Sequence, residues 1–243
     1  MCGIIGVTSE DRVVEKLING LLRQEYRGYD SSGLAVFGKD SNQVQLVKRA
    51  GKVSELQNAI KEVPMTGTTG IAHTRWATHG IPTEKNAHPH HSREEVYVVH
   101  NGIIENYDPL KQELTKRGYT FKSDTDTEVL VNLIEDVKKN EKVKLGKAVQ
   151  IALNQTVGAY AIAVFDRKKP NEIVVARLGS PLALGVGEDE FFIASDASPF
   201  IEFTKNAIYL EDGQMAVVRN HKDLKIWKIK DDSLVAPYIQ ELQ

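Results

Sequence analysis

From Ala159 to Ile229 the chain is a succession of short apolar and β-branched runs with turn signals between them: Ala159–Phe165, Ile173–Arg177, Leu182–Val186, Glu190–Ala194, Ala207–Leu210, Met215–Arg219 and Leu224–Ile229. Runs of this length and composition read as strands. They are not arranged as alternating βαβ units. The first half mixes two signals. Gly3–Val7, Gly33–Phe37, Val44–Lys48, Thr69–Thr74 and Val96–His100 read as strands, with the turn-rich Gly38-Lys39-Asp40-Ser41-Asn42 between the second and third. Val13 to Glu25 places Val13, Val14, Leu17, Ile18, Leu21 and Leu22 at helical spacing. Thr127–Lys138 does the same with Val129, Leu130, Leu133, Ile134 and Val137. Pro109–Lys116 reads as a helix stopping at Gly118, a favourable C-cap residue, and Leu145–Leu153 continues helical. Strand blocks around two pairs of helices predict an α+β fold in which sheet packs on sheet with helices outside.

Such a fold must hold together by burial. Cys2 is the only cysteine among 243 residues, so the chain forms no internal disulfide. A chain of this length buries roughly 70–75% of its unfolded surface, enough for a core without metal or crosslink. The net charge of −2 gives no electrostatic reason to expect nucleic acid or an anionic membrane as partner. The opening Met1-Cys2-Gly3-Ile4-Ile5-Gly6-Val7 lacks the cationic start and the length of a signal peptide, and no later stretch approaches a membrane span. A soluble, cytoplasmic protein is expected, in which a lone thiol stays reduced. Residues 1–229 read as one domain and the polar 230–243 as a boundary or linker.

Cys2 follows the initiator directly. If Met1 is removed, Cys2 carries a free α-amine beside its thiol, a nucleophile and a base in one residue. The amine ordinarily titrates near 7.7–8.0 and the thiol near 8.5, so part of the amine is neutral at pH 7 and accepts the thiol proton. The plainer alternative is a small buried hydrophobe. Three further segments carry polar chemistry. Tyr26-Arg27-Gly28-Tyr29-Asp30-Ser31-Ser32-Gly33 ends the first helix, and a capped helix with a following turn accounts for it. His73-Thr74-Arg75-Trp76-Ala77-Thr78-His79-Gly80 reads as a strand running into a loop. Its guanidinium suits a carboxylate and its indole suits closure over a small ligand, whereas a surface Arg with a half-buried Trp is the alternative. Val98-Val99-His100-Asn101-Gly102 offers a side-chain amide and a backbone N–H side by side, as an oxyanion hole requires, or else a hairpin turn. In Ser123-Asp124-Thr125-Asp126-Thr127-Glu128 one residue should cap the next helix, leaving a further carboxylate without a structural task.

Together these segments resemble the glutaminase domain of the glucosamine-6-phosphate synthases, class II glutamine amidotransferases of the N-terminal-nucleophile hydrolase type. The resemblance runs in order from Cys2-Gly3-Ile4-Ile5-Gly6 to Ala194-Ser195-Asp196. It implies a four-layer αββα sandwich and hydrolysis of L-glutamine to L-glutamate and ammonia through a cysteinyl thioester. Cys2 would be the nucleophile, with Asn101 and Gly102 holding the oxyanion. Arg75 would grip the substrate α-carboxylate, Asp126 its α-ammonium, and Trp76, Thr78 and His79 would belong to a loop that closes over glutamine. Arg27 would support the nucleophile. No cofactor or metal is implied. The implied partners are glutamine and a sugar-isomerase part that this chain does not contain, through which a homodimer would form. Another class II amidotransferase is the near alternative. A metalloprotein is the distant one, since His88, His90 and His91 cluster and His73, His79 and His100 could converge on them. A glutamine sensor would keep the clamp but would have no use for Cys2.

Overall fold

The computed structural model describes residues 2–38, 43–77 and 80–243. In chain order the described elements are β1 (Gly3–Thr8), α1 (Val13–Gln24), β2 (Ser31–Phe37), β3 (Val44–Ala50), α2 (Val53–Glu62), β4 (Thr69–Arg75), β5 (His90–Ser92), β6 (Val96–Ile104), α3 (Tyr107–Lys116), α4 (Asp126–Glu141) and α5 (Leu145–Leu153). The strand-rich half follows as β7 (Gly158–Asp166), β8 (Glu172–Leu178), β9 (Ala183–Val186), β10 (Phe191–Ala194), β11 (Asn206–Tyr209), β12 (Gln214–Arg219), β13 (Asp223–Lys228), β14 (Leu234–Val235) and β15 (Gln240–Glu241). They form an eight-stranded sheet in the order β15-β11-β9-β10-β1-β4-β2-β3 and a seven-stranded sheet in the order β14-β13-β12-β8-β7-β6-β5.

The two-residue period of a strand divides its side chains between two cores. Along β1, Ile4 joins a core between the sheets while Ile5 and Val7 face α1. Along β6, Tyr97 and Val99 enter the same inter-sheet core while Val96 and Val98 face α4. Leu17 and Leu21 of α1 and Leu56 of α2 close the outer face of the larger sheet. Leu130 and Ile134 of α4 with Val149 of α5 close the outer face of the smaller one. The result is the four-layer αββα sandwich. Each fully buried Leu or Ile contributes about 1.5–3 kcal/mol, and the three cores together make crosslinking unnecessary.

The structure departs from the sequence expectation at four places. Helix α2 was not foreseen, because its start signal is not local: the Val53 N–H is capped by Glu25 Oε1 at 3.1 Å, from the turn after α1. Strand β6 does not end before Asn101 but continues to Ile104, each residue paired with β7. His90–Ser92, to which the sequence reading assigned no element, is a short strand after a cis His88–Pro89 bond. Leu234–Val235 and Gln240–Glu241, in the segment read as a linker, pair with β13 and β11.

Candidate active site

Cys2 precedes β1, which lies inside the larger sheet between β4 and β10. The residue is therefore delivered to the end of a rigid strand, and two side chains fix it there. Arg27 donates from Nε to the Cys2 carbonyl oxygen at 2.9 Å, and Asn101 donates from Nδ2 to the same oxygen at 3.1 Å. The Cys2 sulfur accepts from the Trp76 N–H at 3.1 Å and lies 3.4 Å from the Trp76 carbonyl oxygen. Burial pushes the thiol pKa up, opposed by the Trp76 N–H. A thiol in this setting needs a base to become a thiolate.

Asn101 reaches Cys2 because β6 carries on past it. Gly102 permits this: its φ is +122°, and a Cβ there would stand 2.2 Å from the Ala159 carbonyl oxygen across the β6–β7 pair. The Asn-Gly pair is thus a strand distortion and not a hairpin turn. The orientation of the Asn101 amide is fixed by its neighbours. His73 Nε2 lies 3.1 Å from the His100 carbonyl oxygen, an acceptor only, so Nε2 carries the proton and also donates to Asn101 Oδ1 at 2.9 Å. That leaves Nδ2 facing the Cys2 oxygen and, at 3.1 Å, Ser195 Oγ. Ser195 Oγ in turn accepts from the Ile4 N–H at 2.9 Å.

Arg75, at the end of β4, is 3% exposed, which excludes the surface-charge alternative. Its Nη1 donates to the Ile81 carbonyl oxygen at 3.2 Å and its Nη2 to that of Gly80 at 3.0 Å, with Asp30 Oδ1 3.8 Å from Nη1. Asp30 also accepts from the Ala77 N–H. The loop after β4 is thereby tied down on both of its described flanks, and the Trp76 side chain, 55% exposed, stands at its start. Thr78 and His79 lie outside the described residues.

The three carboxylates around the start of α4 have separate fates. Thr125 caps the helix by accepting from the Glu128 N–H. Glu128 accepts from the Ser123 N–H at 2.7 Å and from the Lys122 N–H at 2.9 Å, while exposed Asp124 pairs with Lys85 at 3.2 Å. Buried Asp126 accepts from the Ile104 N–H at 2.7 Å through Oδ2, so it has a structural task that the sequence did not disclose. It also lines a cavity of about 340 Å³ whose walls include Cys2, Arg27, Arg75, Trp76, Asn101 and Gly102. All the described site residues expected from the sequence meet at this one cavity.

Sequence reasoning did not single out Ser195, Asp30 or Thr127. Ser195 had a trace, as the middle residue of Ala194-Ser195-Asp196 at the end of the motif series. His73, His88, His90 and His100 do converge, but as a buried polar array. The His73 and His88 rings stack with centroids 4.0 Å apart. The His88 Nδ1 accepts from the His100 N–H at 3.2 Å, Thr127 Oγ1 lies 2.9 Å from His100 Nδ1, and Thr125 Oγ1 lies 3.1 Å from His90 Nε2. Burial pulls the His73 pKa down to about 3 and those of His88 and His90 well below the usual imidazole range. Among the described residues no group of His, Cys, Asp or Glu is arranged to hold a metal ion.

Residues 73–202, more than half of the chain, match the glutamine amidotransferase domain family. A glutamine–fructose-6-phosphate aminotransferase (isomerizing) of Bacteroides thetaiotaomicron is 55% identical over 93% of this chain and 37% of its own length. One from Idiomarina loihiensis is 52% identical over the same shares of both chains. The chain thus spans well under half the length of the curated relatives it matches. Among solved structures, a glutamine phosphoribosylpyrophosphate amidotransferase from B. subtilis superposes with a TM-score of 0.81 over 96% of this chain and 50% of its own, at 24% identity, and so shares the fold. With the family match covering more than half of the chain and aminotransferase relatives above 50% identity over 93% of it, the chain belongs to the glutamine amidotransferase domain family.

Proposed function

We propose that this chain hydrolyses L-glutamine to L-glutamate and ammonia, with Cys2 as nucleophile. The observation that carries this reading is the meeting of one thiol, one buried guanidinium, one buried carboxylate and the Asn101-Gly102 pair around a single cavity of about 340 Å³. Arg75 and Asp126 would take the two charged ends of the amino-acid head, which selects glutamine over a simple amide. The Cys2 α-amine, free once Met1 is gone, takes the thiol proton while sulfur attacks the side-chain amide carbon. The resulting oxyanion is held by Asn101 Nδ2 and the Gly102 N–H. Before it forms, Nδ2 serves the neutral Ser195 hydroxyl and the Cys2 carbonyl; a charged oxygen is roughly twice as strong an acceptor and displaces the weaker of the two. The tetrahedral adduct collapses, ammonia leaves with the proton from the amine, and water hydrolyses the γ-glutamyl thioester. Arg27 supports the step by holding the Cys2 carbonyl.

Ammonia made in this way would serve glucosamine 6-phosphate synthesis from fructose 6-phosphate, a reading supported by relatives named for amino transfer between glutamine and fructose 6-phosphate. The acceptor site would lie in a sugar-isomerase part joined through residues 230–243, with residues 1–229 as the glutaminase domain, the whole a cytoplasmic homodimer. Intact mass combined with glutaminase assay tests the core of this proposal. With Met1 attached the Cys2 nitrogen is an amide and accepts no proton, so a form retaining Met1 should be inactive. A processed form should hydrolyse glutamine and add a glutamine-like electrophile once. Full activity in a preparation shown to retain Met1 would refute the mechanism.

A further inference from the structure

Bordering the α4 N-terminus is a second cavity, of about 470 Å³, whose walls include Lys48, His91, Arg93, Glu94, Lys122 and Glu128. It belongs to none of the chemistry above. Its cations are largely unspent. Lys48 is half-buried on β3 and, among the described residues, makes no hydrogen bond or ion pair through its ammonium; burial pulls its pKa down to about 8. Arg93 sits over the Tyr119 ring, its Cζ 4.2 Å from the centroid, a contact that leaves its N–H groups unused. Lys122 is likewise without a side-chain partner among the described residues. Of the two carboxylates, Glu128 has committed its oxygens to the Lys122 and Ser123 N–H groups and the Ser123 hydroxyl. The His91 Nδ1 accepts from the Glu94 N–H, which leaves its Nε2 protonated as a neutral donor. The cavity shares His91, Arg93 and Glu94 with an adjoining hollow of about 460 Å³.

We infer that this cavity binds a phosphorylated polyol, its phosphate between Lys48, Arg93 and Lys122 and its hydroxyls toward Glu94 and the far hollow. Desolvation of the half-buried Lys48 ammonium outweighs the fields of Glu128 and Glu84, and a dianion with several acceptor oxygens offsets that cost while also engaging the exposed Arg93 and Lys122. The volume falls in the range of small-molecule sites and exceeds the needs of a bare phosphate. The Glu94 carboxylate accepts from hydroxyls and repels a second phosphate, which argues for a monophosphate and against a polyphosphate or nucleic acid strand.

Titration calorimetry of the 243-residue chain with glucose 6-phosphate, glucose and inorganic phosphate tests this without involving glutamine. Saturable binding of glucose 6-phosphate near or below about 1 mM is expected, with inorganic phosphate binding more weakly and competing, and glucose not binding. Lys48→Met with Arg93→Met should weaken glucose 6-phosphate at least tenfold, while Cys2→Ala leaves it unchanged. Arg93→Met alone, at the exposed rim, should lower affinity severalfold and is the fallback if the double variant melts early. No saturable heat up to about 10 mM, equal affinity for inorganic phosphate, or indifference to Arg93→Met would each overturn the inference.

Discussion

At Asn101 and Asp126 one side chain combines a structural hydrogen bond with a proposed duty toward substrate, and kinetics set beside stability separate the two. Asp126→Asn keeps an oxygen for the Ile104 N–H but removes the charge proposed to meet the substrate ammonium. It should weaken apparent glutamine affinity by tens- to thousands-fold, from a loss on the order of 2–5 kcal/mol at about 1.4 kcal/mol per tenfold, with the melting temperature little changed. Asn101→Ala should instead lower kcat by about 10²–10³-fold, since its donor matters most when the oxyanion forms. Steady-state kinetics of both variants decide the assignment. A pure KM effect for Asn101→Ala, or an unchanged KM for Asp126→Asn, would reverse the roles. Cys2→Ala should abolish turnover while glutamine still binds, because neither Arg75 nor Asp126 depends on the thiol; near wild-type turnover would place the nucleophile elsewhere.

At the scale of elements, β6 and its partner β7 decide whether the site assembles. Gly102→Ala puts a methyl 2.2 Å from the Ala159 carbonyl oxygen at a φ of +122°. The strand pair must shift, at a cost of at least about 3 kcal/mol, which lowers Tm by about 10 °C for a chain of this size. Glutaminase activity should fall further than stability explains, since Asn101 moves with the strand. Calorimetry and kinetics on the one variant measure both, and a native melting temperature would remove Gly102 from its structural role. The same strand shows what a sequence can disclose. The continuous apolar run Val96-Tyr97-Val98-Val99 was legible as a strand buried on both faces, whereas the Asn-Gly pair carries a turn signal that only the neighbouring Ala159 backbone overrides. Cys2, Arg75 and Asn101 were legible as reactive residue types in long motifs. Ser195 was not, since a serine at a strand end looks ordinary until the Ile4 N–H and the Asn101 amide are seen to converge on it. Helix α2 escaped for a similar reason, its cap lying at Glu25, far along the chain.

Across the whole molecule, the histidine array sets the response to acid. His73, His88 and His90 are held neutral in the folded state, with pKa values below those of an unfolded chain. The unfolded chain takes up protons below about pH 6.5 and the folded one does not, so stability falls as pH drops through that value. Between pH 7 and 5.5 three such groups remove about 4 kcal/mol. Urea denaturation at the two pH values should show this loss, and a flat profile would mean that the array accepts protons while folded. The C-terminal segment acts on the sandwich in another way. β14 is zipped to β13 at the edge of the smaller sheet and β15 to β11 at the edge of the larger, with the Leu242 N–H donating to the Lys205 oxygen at 2.7 Å. Residues 236–239 therefore cross from one sheet to the other like a stitch. Any force that slides the sheets past each other loads this stitch in tension, carried at each end by a two-residue strand pairing.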